Sequence, residues 1–427
     1  VGVHDDFFAL GGDSILSLQV IFRAKQCGLF FSVKQLFEVP TVAGLAGVVE
    51  RRDVSGVVAE QGVVVGPVEL SPVQRWFFGQ GFSVVGHVNQ SVLVEVDAGL
   101  SVGVWERVVR CLLVQHDGLR ARFVCEGGVW RAELGGVPDV VPCEVVDVSS
   151  CGVDGREAFV VGVAGRVQGG LSLAGGDVFR VVVFTGWGGG LPDRVLLVAH
   201  HLVVDVVSWR IVLEDLRALV GRVGSGLDPV LPAKSSAWRD WVARLGVEAR
   251  GGVTLGEVGY WLGQVGPVGG VPVDRVGVGV GANTVGGSRV CGVVLGVGET
   301  RALLRDVPAV FDTRVNDVLL AGVAAAVGAW SGVDRVRVDV EGHGREELFD
   351  DLDVSRTVGW FTTISPVLLP VPSVGGVGEG LKAVKEVLRG RPRQGIGYGL
   401  LAHGPEVTPL TGTPSAQISF NYLGQFD

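Results

Sequence analysis

The sequence predicts a small all-helical unit followed by a larger α+β region made of two lobes. Residues 1–50 contain only helical spacings of apolar residues, whereas from residue 67 onward valine-rich runs of strand length alternate with helical segments. This second stretch is too long for one ordinary hydrophobic core, because single cores stop growing at about 250–300 residues. We therefore expect it to divide into two lobes.

The helical unit, residues 1–50, has three predicted helices. The apolar residues of the first helix fall on one face, and Gly28 ends it. A second helix is predicted over residues 33–38 and a third after Pro40. Residues 51–66 show no clear periodicity and are interpreted as a linker.

In the larger region, helices and strands alternate along the chain. The predicted helices cover residues 72–78, 102–115, 208–220, 238–244, 316–330 and 380–388, and the predicted strands cover residues 90–96, 178–184, 194–199, 290–295, 336–340, 363–369 and 416–422. The segment that begins at Pro232 is expected to join the two lobes. This gives a first lobe over residues 67–231 and a second over residues 232–427.

Composition and charge exclude several classes of protein. Hydrophobic residues make up 47% of the chain, which excludes general disorder. The longest apolar helical run, residues 318–330, is too short to span a bilayer, and the chain does not open with a signal peptide. The net charge of −9, without a block of like charges, argues against nucleic acid as a partner. We expect a cytoplasmic protein with neither a membrane nor a nucleic-acid partner.

The six cysteines, at positions 27, 111, 125, 143, 151 and 291, form no C-x-x-C pair and no zinc-like spacing with histidine. We therefore expect them to be reduced, buried and free of metal. Methionine is absent, even at position 1, which indicates an internal piece of a longer polypeptide.

The most informative stretch is a tandem histidine, His200 and His201, at the end of a predicted buried strand, with Asp205 four residues later. Histidine has the unperturbed pKa nearest neutrality, so an imidazole presented to a cavity suits proton transfer, while the carboxylate holds the local turn. Taken alone, the pair is more typical of core histidines bonded to backbone groups. The rest of the chain favours the catalytic interpretation.

Ser14 follows Gly-Gly-Asp at the start of the first predicted helix. Asp13 or Ser14 could simply cap the helix, but two glycines also allow an exposed turn that brings a hydroxyl within reach of a modifying enzyme. The string FFALGGDSI resembles the signature of the peptidyl carrier domain of nonribosomal peptide synthetases. The resemblance implies that Ser14 carries a 4′-phosphopantetheine arm. It also implies a truncated carrier bundle, because the family's first helix is missing.

The region after the linker resembles the epimerization domain of the same synthetases, a member of the condensation-domain superfamily. Seven short strings occur in the family's order: residues 70–77 (LSPVQRWF), 200–210 (HHLVVDVVSWR), 316–320 (NDVLL), 341–346 (EGHGRE), 358–362 (VGWFT), 395–399 (GIGYG) and 419–426 (SFNYLGQF). The GGDS, EGHGR and FNYLG strings resemble epimerization domains rather than peptide-bond-forming ones. The resemblance implies a chloramphenicol-acetyltransferase-like fold with a tunnel between two lobes.

This resemblance also implies a reaction that needs neither pyridoxal phosphate nor a metal. The α-hydrogen of a carrier-bound thioester is removed to give a planar enolate and returned on the opposite face. His201 and Glu341 are the predicted proton-transfer pair, and the glutamate needs desolvation to serve as an acid at neutral pH. Glu341 taken by itself would be interpreted as a solvated turn residue.

Five further residues are expected to support this pair. Asp205 and Arg345 are predicted to form an ion pair beneath His201. His200 is expected to pack or hydrogen-bond rather than react. Asn421 and Tyr422 either stabilise the enolate oxygen or are ordinary polar residues at a strand end.

A glycine string, Gly395, Gly397 and Gly399, is a weaker candidate, for backbone approach to the pantetheine arm. The implied partners are an upstream adenylation domain, a downstream condensation domain that selects the D-residue, and a phosphopantetheinyl transferase that modifies Ser14. The product is expected to be a secondary metabolite of the antibiotic kind.

Two alternatives stay open. One is peptide-bond formation between two carrier-bound substrates, and the other is a catalytically inactive relative that only docks partner proteins. The second is suggested by Val206, which stands where the family's histidine motif has glycine. If that glycine serves a positive φ, a β-branched residue there would strain the loop.

Overall fold

The computed structural model of the chain describes residues 1–8, 10–12, 14–51, 59–97, 99–273, 284–372 and 376–424. Asp13, residues 52–58 of the predicted linker and the last three residues lie outside the described residues. The α-helices in chain order are α1 (Ser14–Gln26), α2 (Val33–Glu38), α3 (Val42–Val48), α4 (Pro72–Gly79), α5 (Val102–Gln115), α6 (Arg156–Gly169), α7 (Val206–Gly224), α8 (Trp238–Glu248), α9 (Gly252–Gly256), α10 (Val258–Gln264), α11 (Val297–Arg301), α12 (Val307–Phe311), α13 (Val315–Ser331), α14 (Val377–Arg389) and α15 (Ile396–Ala402).

The strands form four sheets among the described residues. Their orders are β1-β2, β3-β6-β5, β4-β9-β8-β7 and β11-β10-β12. The strands are β1 (Leu29–Phe30), β2 (Glu50–Arg51), β3 (Gly66–Val68), β4 (Asn89–Val96), β5 (Ala121–Glu126), β6 (Val129–Leu134), β7 (Cys143–Asp147), β8 (Phe179–Thr185), β9 (Asp193–His200), β10 (Arg335–Gly342), β11 (Thr363–Pro370) and β12 (Ser419–Phe420).

The N-terminal unit is helical, as predicted. Helices α1 to α3 enclose a small core of Ile21, Phe31 and Leu36. Ser32 caps α2 through a bond from the Gln35 amide, since a hydroxyl oxygen can accept from the free N–H groups of a first turn.

The four-stranded sheet carries the tandem histidine at the end of β9. Strands β8 and β9 are buried on both faces, by the α6 cluster on one side and by the main core with α5 and α7 on the other. Double burial explains why the sequence of β9 is an unbroken apolar run rather than an alternating one. In the antiparallel register Gln90 of β4 lies opposite Ala199, and Asn89 lies opposite His200.

The sheet β11-β10-β12 forms the second α+β element. Helices α13 and α14 cover it through a core that includes Leu320, Val338, Leu369 and Leu381. Strand β10 runs antiparallel to β11 and ends at Gly342, so Glu341 lies one residue before its end. The two-lobed α+β prediction is consistent with these sheets.

The main core continues across the predicted junction at Pro232. Trp238 and Trp241 of α8 pack in the same cluster as Leu197 and Leu216. The division of the lobes at residue 232 therefore stays a prediction.

The strands differ from the predicted ones in several places, and the strand predicted over residues 416–422 is reduced to β12 (Ser419–Phe420). Residues 290–295 form no strand in the described part of the chain, where Val290 and Val294 are 100% and 94% exposed. A valine-rich run favours a strand, but a strand also needs a neighbouring edge to bond with. Conversely, β5 and β6 form an unpredicted hairpin whose signal is the Gly127-Gly128 turn, with both residues at positive φ.

The cysteine prediction is wrong in one respect. All six thiols are free, but Cys27, Cys125 and Cys291 are exposed and the other three are half-buried. Cys125 illustrates the reason, since it lies beside the β5–β6 turn rather than in a sheet interior. Among the described residues, no helix combines the length and apolar character that crossing a bilayer requires.

Candidate active site

The tandem histidine lies where β9 ends and α7 begins. His200 is the last residue of β9, a single 3-10 turn spans His201–Val203, and Asp205 is the N-cap of α7. The Asp205 carboxylate accepts a hydrogen bond from the Ser208 amide at 2.7 Å. This cap fixes the direction of the turn that presents His201.

His200 is a structural residue. Its Nε2 lies 2.7 Å from the Val85 carbonyl and its Nδ1 accepts from the Leu202 amide at 3.1 Å, so both ring nitrogens are engaged with backbone. The residue is fully buried, and burial lowers its pKa to about 4. Unlike the half-buried His201, this ring is fully enclosed and bonded to backbone at both nitrogens, as expected for a histidine that packs rather than reacts.

His201 is half-buried and its ring is held on three sides. Nδ1 lies 2.9 Å from the Val204 carbonyl, and Nε2 lies 3.1 Å from the side-chain nitrogen of Gln90. The ring stacks on Trp360 with 4.2 Å between centroids. These contacts leave the imidazole little rotational freedom, which suits a group that must meet a reacting atom in one orientation.

The predicted ion pair of Asp205 and Arg345 is present, with 3.4 Å between its charged atoms. Arg345 also donates to the carbonyls of Val354 and Thr357, each at 2.7 Å, and to the Ser208 hydroxyl at 3.0 Å. The guanidinium thereby ties the His201 turn to the segment that carries Trp360.

That segment is held to the same turn by further hydrogen bonds. The Ser208 hydroxyl donates to the Gly359 carbonyl at 2.8 Å, and the Phe361 amide donates to the Asp205 carboxylate at 3.0 Å. Trp360 therefore has a bonded neighbour on each side. The position of Trp360 against His201 therefore depends on the hydrogen bonds of its two chain neighbours as well as on side-chain packing.

Glu341 lies on β10 opposite Ile364. Burial raises the pKa of its carboxyl above the ordinary value. Within the described ranges this carboxyl has no hydrogen-bond or ion-pair partner. It is thus a desolvated acid group, and desolvation is the condition under which a glutamate can donate a proton near neutral pH.

One segment contacts both predicted groups. Trp360 stacks on His201, and Ile364, four residues later, pairs with Glu341. Four residues span at most about 14 Å. In the part of the chain that the structure describes, no direct contact joins His201 and Glu341.

A cleft adjoins this segment. Its lining is largely aromatic and apolar, and it includes Trp76, Trp238, Trp241, Trp360, Ile364 and His403. His201 and Glu341 are not among the lining residues, but Trp360 separates the cleft from His201 and Ile364 adjoins Glu341. The cleft is therefore a neighbour of the candidate site, with Trp360 shared between them.

Asn421 and Tyr422 follow β12, which runs parallel to β10. The register pairs Asp339 with Ser419 and Val340 with Phe420, so Glu341 and Asn421 are the next residues along the two strands. Asn421 is exposed and Tyr422 is half-buried. Their predicted role toward an enolate oxygen stays a prediction.

The glycines of the string at 395–399 have packing roles. A Cβ at Gly397 would overlap the Glu257 carboxylate at 1.9 Å, and one at Gly399 would lie 3.4 Å from Pro72 of α4. Gly395 adopts a φ of 98° that a β-carbon would strain. Close packing accounts for Gly397 and backbone geometry for Gly395, whereas a Cβ at Gly399 would make only an ordinary contact.

Val206 is not strained. It is the first residue of α7, and the described non-glycine residues with positive φ are Asp312, Arg393 and Gln394. The side chain is half-buried and packs against the main core. The backbone thus gives no reason for glycine at this position.

Ser14 begins α1, directly after a turn in which Gly11 has a φ of 101°. The first N–H groups of a helix have no partner within it and favour an anion, so a phosphodiester attached at this position fits the backbone. The helical unit also contacts the larger domain. Arg356 lies 4.9 Å from the Phe22 ring and Arg314 lies 4.2 Å from the Phe37 ring.

Sequence reasoning missed one residue of the site entirely. Gln90 lay in a predicted strand but had no assigned role, although it contacts His201 and accepts from the Trp209 indole at 2.8 Å. A polar residue at the start of the predicted strand was the available signal. Trp209 and Trp360 lay inside recognised strings without an assigned function.

Comparison with known families decides the class of this protein. A family described as the condensation domain matches residues 64–427, and one described as the phosphopantetheine attachment site matches residues 1–49. The chain belongs to the condensation-domain family. Its first unit is a phosphopantetheine attachment domain, so the predicted cofactor is confirmed, as is the resemblance to a carrier followed by a condensation-superfamily domain.

The relatives of this condensation-family chain are peptide synthetases. One component of the linear gramicidin synthase of Brevibacillus parabrevis is 42% identical over 435 residues, which cover 100% of this chain and 6% of that protein. Surfactin synthase subunit 1 of Bacillus subtilis (strain 168) is 37% identical over 434 residues, which cover 100% of this chain and 12% of that protein. The chain thus spans only a small part of the length of these curated relatives.

Two solved structures illustrate how similar this fold is to known ones. The epimerization domain from the third module of tyrocidine synthetase B has a TM-score of 0.78 and 33% identity, and the match covers 86% of this chain and 84% of that one. The first condensation domain of the calcium-dependent antibiotic synthetase has a TM-score of 0.57 and 20% identity, over 77% of this chain and 74% of that one. The predicted fold class is therefore confirmed.

Proposed function

We propose that this chain inverts the α-carbon of an aminoacyl or peptidyl group held as a thioester on its own carrier domain. The observation that supports this most directly is the difference between the two site groups. His201 has both ring nitrogens engaged and is held in one orientation, whereas Glu341 is a desolvated carboxyl of raised pKa without a partner among the described residues. The pair supplies a base and an acid, which inversion requires.

Greater likeness to a solved epimerization domain than to a solved condensation domain supports the same proposal. The TM-scores are 0.78 and 0.57, and the identities are 33% and 20%. Peptide-bond formation between two carriers remains the alternative, and hydrogen exchange at the α-carbon separates the two.

The proposed cofactor attachment residue is Ser14. When bound there, the phosphopantetheine thiol holds the acyl group as a thioester, which acidifies the α-hydrogen. The carrier already contacts the larger domain through Phe22 and Phe37, which supports delivery from the same chain. An adenylation domain, a downstream condensation domain and a phosphopantetheinyl transferase are the proposed partners, and the cytoplasm is the proposed location.

The proposed step begins with His201 as the base, because the Val204 carbonyl faces Nδ1 and leaves the lone pair on Nε2, whereas burial favours the protonated form of the Glu341 carboxyl. The α-hydrogen passes to His201 Nε2 as a proton, and the electron pair of the broken C–H bond enters the thioester carbonyl as an enolate. The Glu341 carboxyl then donates its proton to the opposite face of the α-carbon. Exchange with water restores both groups. His201 therefore takes the proton of the L-residue.

The Asp205–Arg345 pair has a positioning role in this proposal. It holds the turn before α7 and the segment at Trp360 in one arrangement, which orients the imidazole. Asn421 and Tyr422 are proposed to stabilise the enolate oxygen, since both follow the strand next to Glu341.

The experiment is α-hydrogen exchange on the loaded chain. Ser14 is loaded with L-aminoacyl-phosphopantetheine, the protein is incubated in deuterated water, the thioester is cleaved, and deuterium content and chirality are measured together. We expect deuterium in a D-configured product. His201→Ala should slow exchange from the L-residue by about 100-fold or more.

Glu341→Gln separates the two roles. With His201 intact but no proton donor opposite, deuterium should still enter the L-residue with retention while D-product is lost. Glu133→Gln, at an exposed carboxylate, is the matched control and should behave as the unchanged protein. Absence of exchange in the unchanged protein, with peptide-bond formation when a second loaded carrier is added, would establish the alternative instead.

A further inference from the structure

Gln90 connects His201 to an indole that can only donate. The Trp209 Nε1–H group donates to Gln90 Oε1 at 2.8 Å. Because an indole nitrogen is never an acceptor, the amide oxygen must face Trp209. The amide NH2 group, which can only donate, therefore faces His201 Nε2 at 3.1 Å.

This arrangement fixes the tautomer of His201. An amide N–H directed at Nε2 requires a lone pair there, so the ring proton belongs on Nδ1. The other ring nitrogen supports the same tautomer independently, because Nδ1 lies 2.9 Å from the Val204 carbonyl, which can only accept a hydrogen bond. A second proton on Nε2 would oppose the Gln90 N–H group. The surroundings thus favour a ring proton on Nδ1 and a lone pair on Nε2.

We propose that Gln90 is a positioning residue that holds His201 as a neutral base with its lone pair on Nε2, and that Trp209 sets the direction of the Gln90 amide. This inference rests on the proposed function, in which Nε2 accepts the α-hydrogen. The Gln90 N–H group occupies the place that the α-hydrogen needs. Substrate arrival must therefore replace this hydrogen bond, and the amide protects the lone pair until then.

The fold makes Gln90 well suited to this role. It lies on β4 opposite Ala199, one residue before the His200 position of the neighbouring strand, so the backbone of β4 and β9 sets its distance to His201. Trp360 stacks on the other side of the ring. Neither the amide nor the imidazole can turn without breaking one of these contacts.

The direct test is the tautomer of His201, read from ¹⁵N chemical shifts of histidine-labelled protein and assigned by the signal that His201→Ala removes. The chain has seven histidines, so the signals are few. We expect an unprotonated Nε2 and a protonated Nδ1 near neutral pH. A protonated Nε2 in the unchanged protein would overturn the inference, whether or not epimerization is observed.

Gln90→Glu reverses the hydrogen-bond direction, because an ionised carboxylate can only accept. We expect Nε2 to become protonated, α-hydrogen exchange at neutral pH to fall about 100-fold, and the acidic limb of the pH–rate profile to move upward by about one unit. Gln90→Ala should cost less, about 10-fold, without that upward movement. An unchanged limb in Gln90→Glu would contradict a role in setting protonation.

Two variants guard against a purely structural explanation. Trp209→Phe keeps an aromatic ring but removes the donor, so the Gln90 amide can rotate and the Nε2 signal should show a mixture of tautomers. Gln80→Glu, at an exposed glutamine at the end of α4, makes the same chemical change away from the site and should leave the tautomer and the pH profile unchanged. Thermal unfolding of each variant identifies any that fail to fold. If the unchanged protein shows no exchange at all, the proposed function fails while the tautomer prediction is still tested.

Discussion

His201 and Glu341 differ sharply in how the fold holds them. His201 has a hydrogen-bond partner at each ring nitrogen and an aromatic ring stacked on its face. Glu341 is half-buried on β10 and, among the described residues, has neither a hydrogen bond nor an ion pair. The fold thus fixes the orientation of His201 through several contacts and leaves the Glu341 carboxyl without a partner among the described residues.

The difference corresponds to what each role requires. A neutral base must offer a lone pair from a chosen nitrogen, and only hydrogen bonds can select that nitrogen. An acid that starts protonated needs only to be kept from ionising, and desolvation achieves this without any partner. A partner such as an arginine would lower the pKa of Glu341 and defeat the role.

The largest expected difference in stability concerns the pair beneath His201. Asp205→Asn leaves Arg345, which is 4% exposed, as an uncompensated buried charge. We expect a loss of about 3–5 kcal/mol in the free energy of unfolding, measured with urea, together with loss of α-hydrogen exchange. Glu341→Gln removes no partner and should change the free energy of unfolding by less than about 1 kcal/mol.

The double variant Asp205→Asn with Arg345→Met completes this test. Because it removes both charges, it should be less destabilised than the sum of the two single variants. If Asp205→Asn and Glu341→Gln destabilise the protein equally, the contrast between a braced base and an isolated acid is wrong.

The features of the site differ in how well the sequence alone could predict them. The tandem histidine was predictable, because an apolar run followed by a capping aspartate places both imidazoles at a strand end. The ion pair of Asp205 and Arg345 was predictable only through family resemblance. The contact of Gln90 with His201 was not, because it depends on the register between β4 and β9, and no local pattern specifies which strands pair.

Local patterns also misjudged burial, which depends on the whole fold. Residues 290–295 are rich in valine, as a strand would be, yet they have no neighbouring edge among the described residues. Glu341 stands in a glycine-rich string that indicates a solvated turn, yet β10 extends to Gly342 and therefore includes Glu341. In both cases the deciding factor is a partner strand distant in sequence.

A smaller effect should appear in the pH dependence of stability. His200 has a pKa of about 4 in the folded protein against an ordinary value of 6.5, so between these values the unfolded chain binds a proton that the folded protein does not. Stability therefore falls as the pH is lowered from 6.5 toward 4, by up to about 3 kcal/mol from this residue. His200→Gln should reduce that slope when the free energy of unfolding is measured across this range.

Glu341 should act in the opposite direction. Its pKa is raised on folding, so the folded protein binds the extra proton and stability falls as the pH rises from its ordinary value of 4.5 through the raised one. Glu341→Gln should remove this contribution. Burial also lowers the pKa of His403 to about 4, so its protonation should likewise reduce stability as the pH falls. His403 is therefore the matched control, because it is a buried histidine that does not lie next to His201. An unchanged slope in His200→Gln would show that protonation of His200 is not linked to folding.

The smallest expected effect concerns Val206, where the family's glycine is missing. Because Val206 has an ordinary helical backbone as the first residue of α7, Val206→Gly should not raise the exchange rate by as much as twofold. It should cost about 1 kcal/mol or less in stability, through lost packing and helix propensity. Val102→Gly, at the exposed first residue of α5, reports the helix contribution alone, so the difference between the two variants isolates the packing of Val206. A tenfold gain in exchange on Val206→Gly would instead show that the Val206 side chain obstructs access of the substrate to His201.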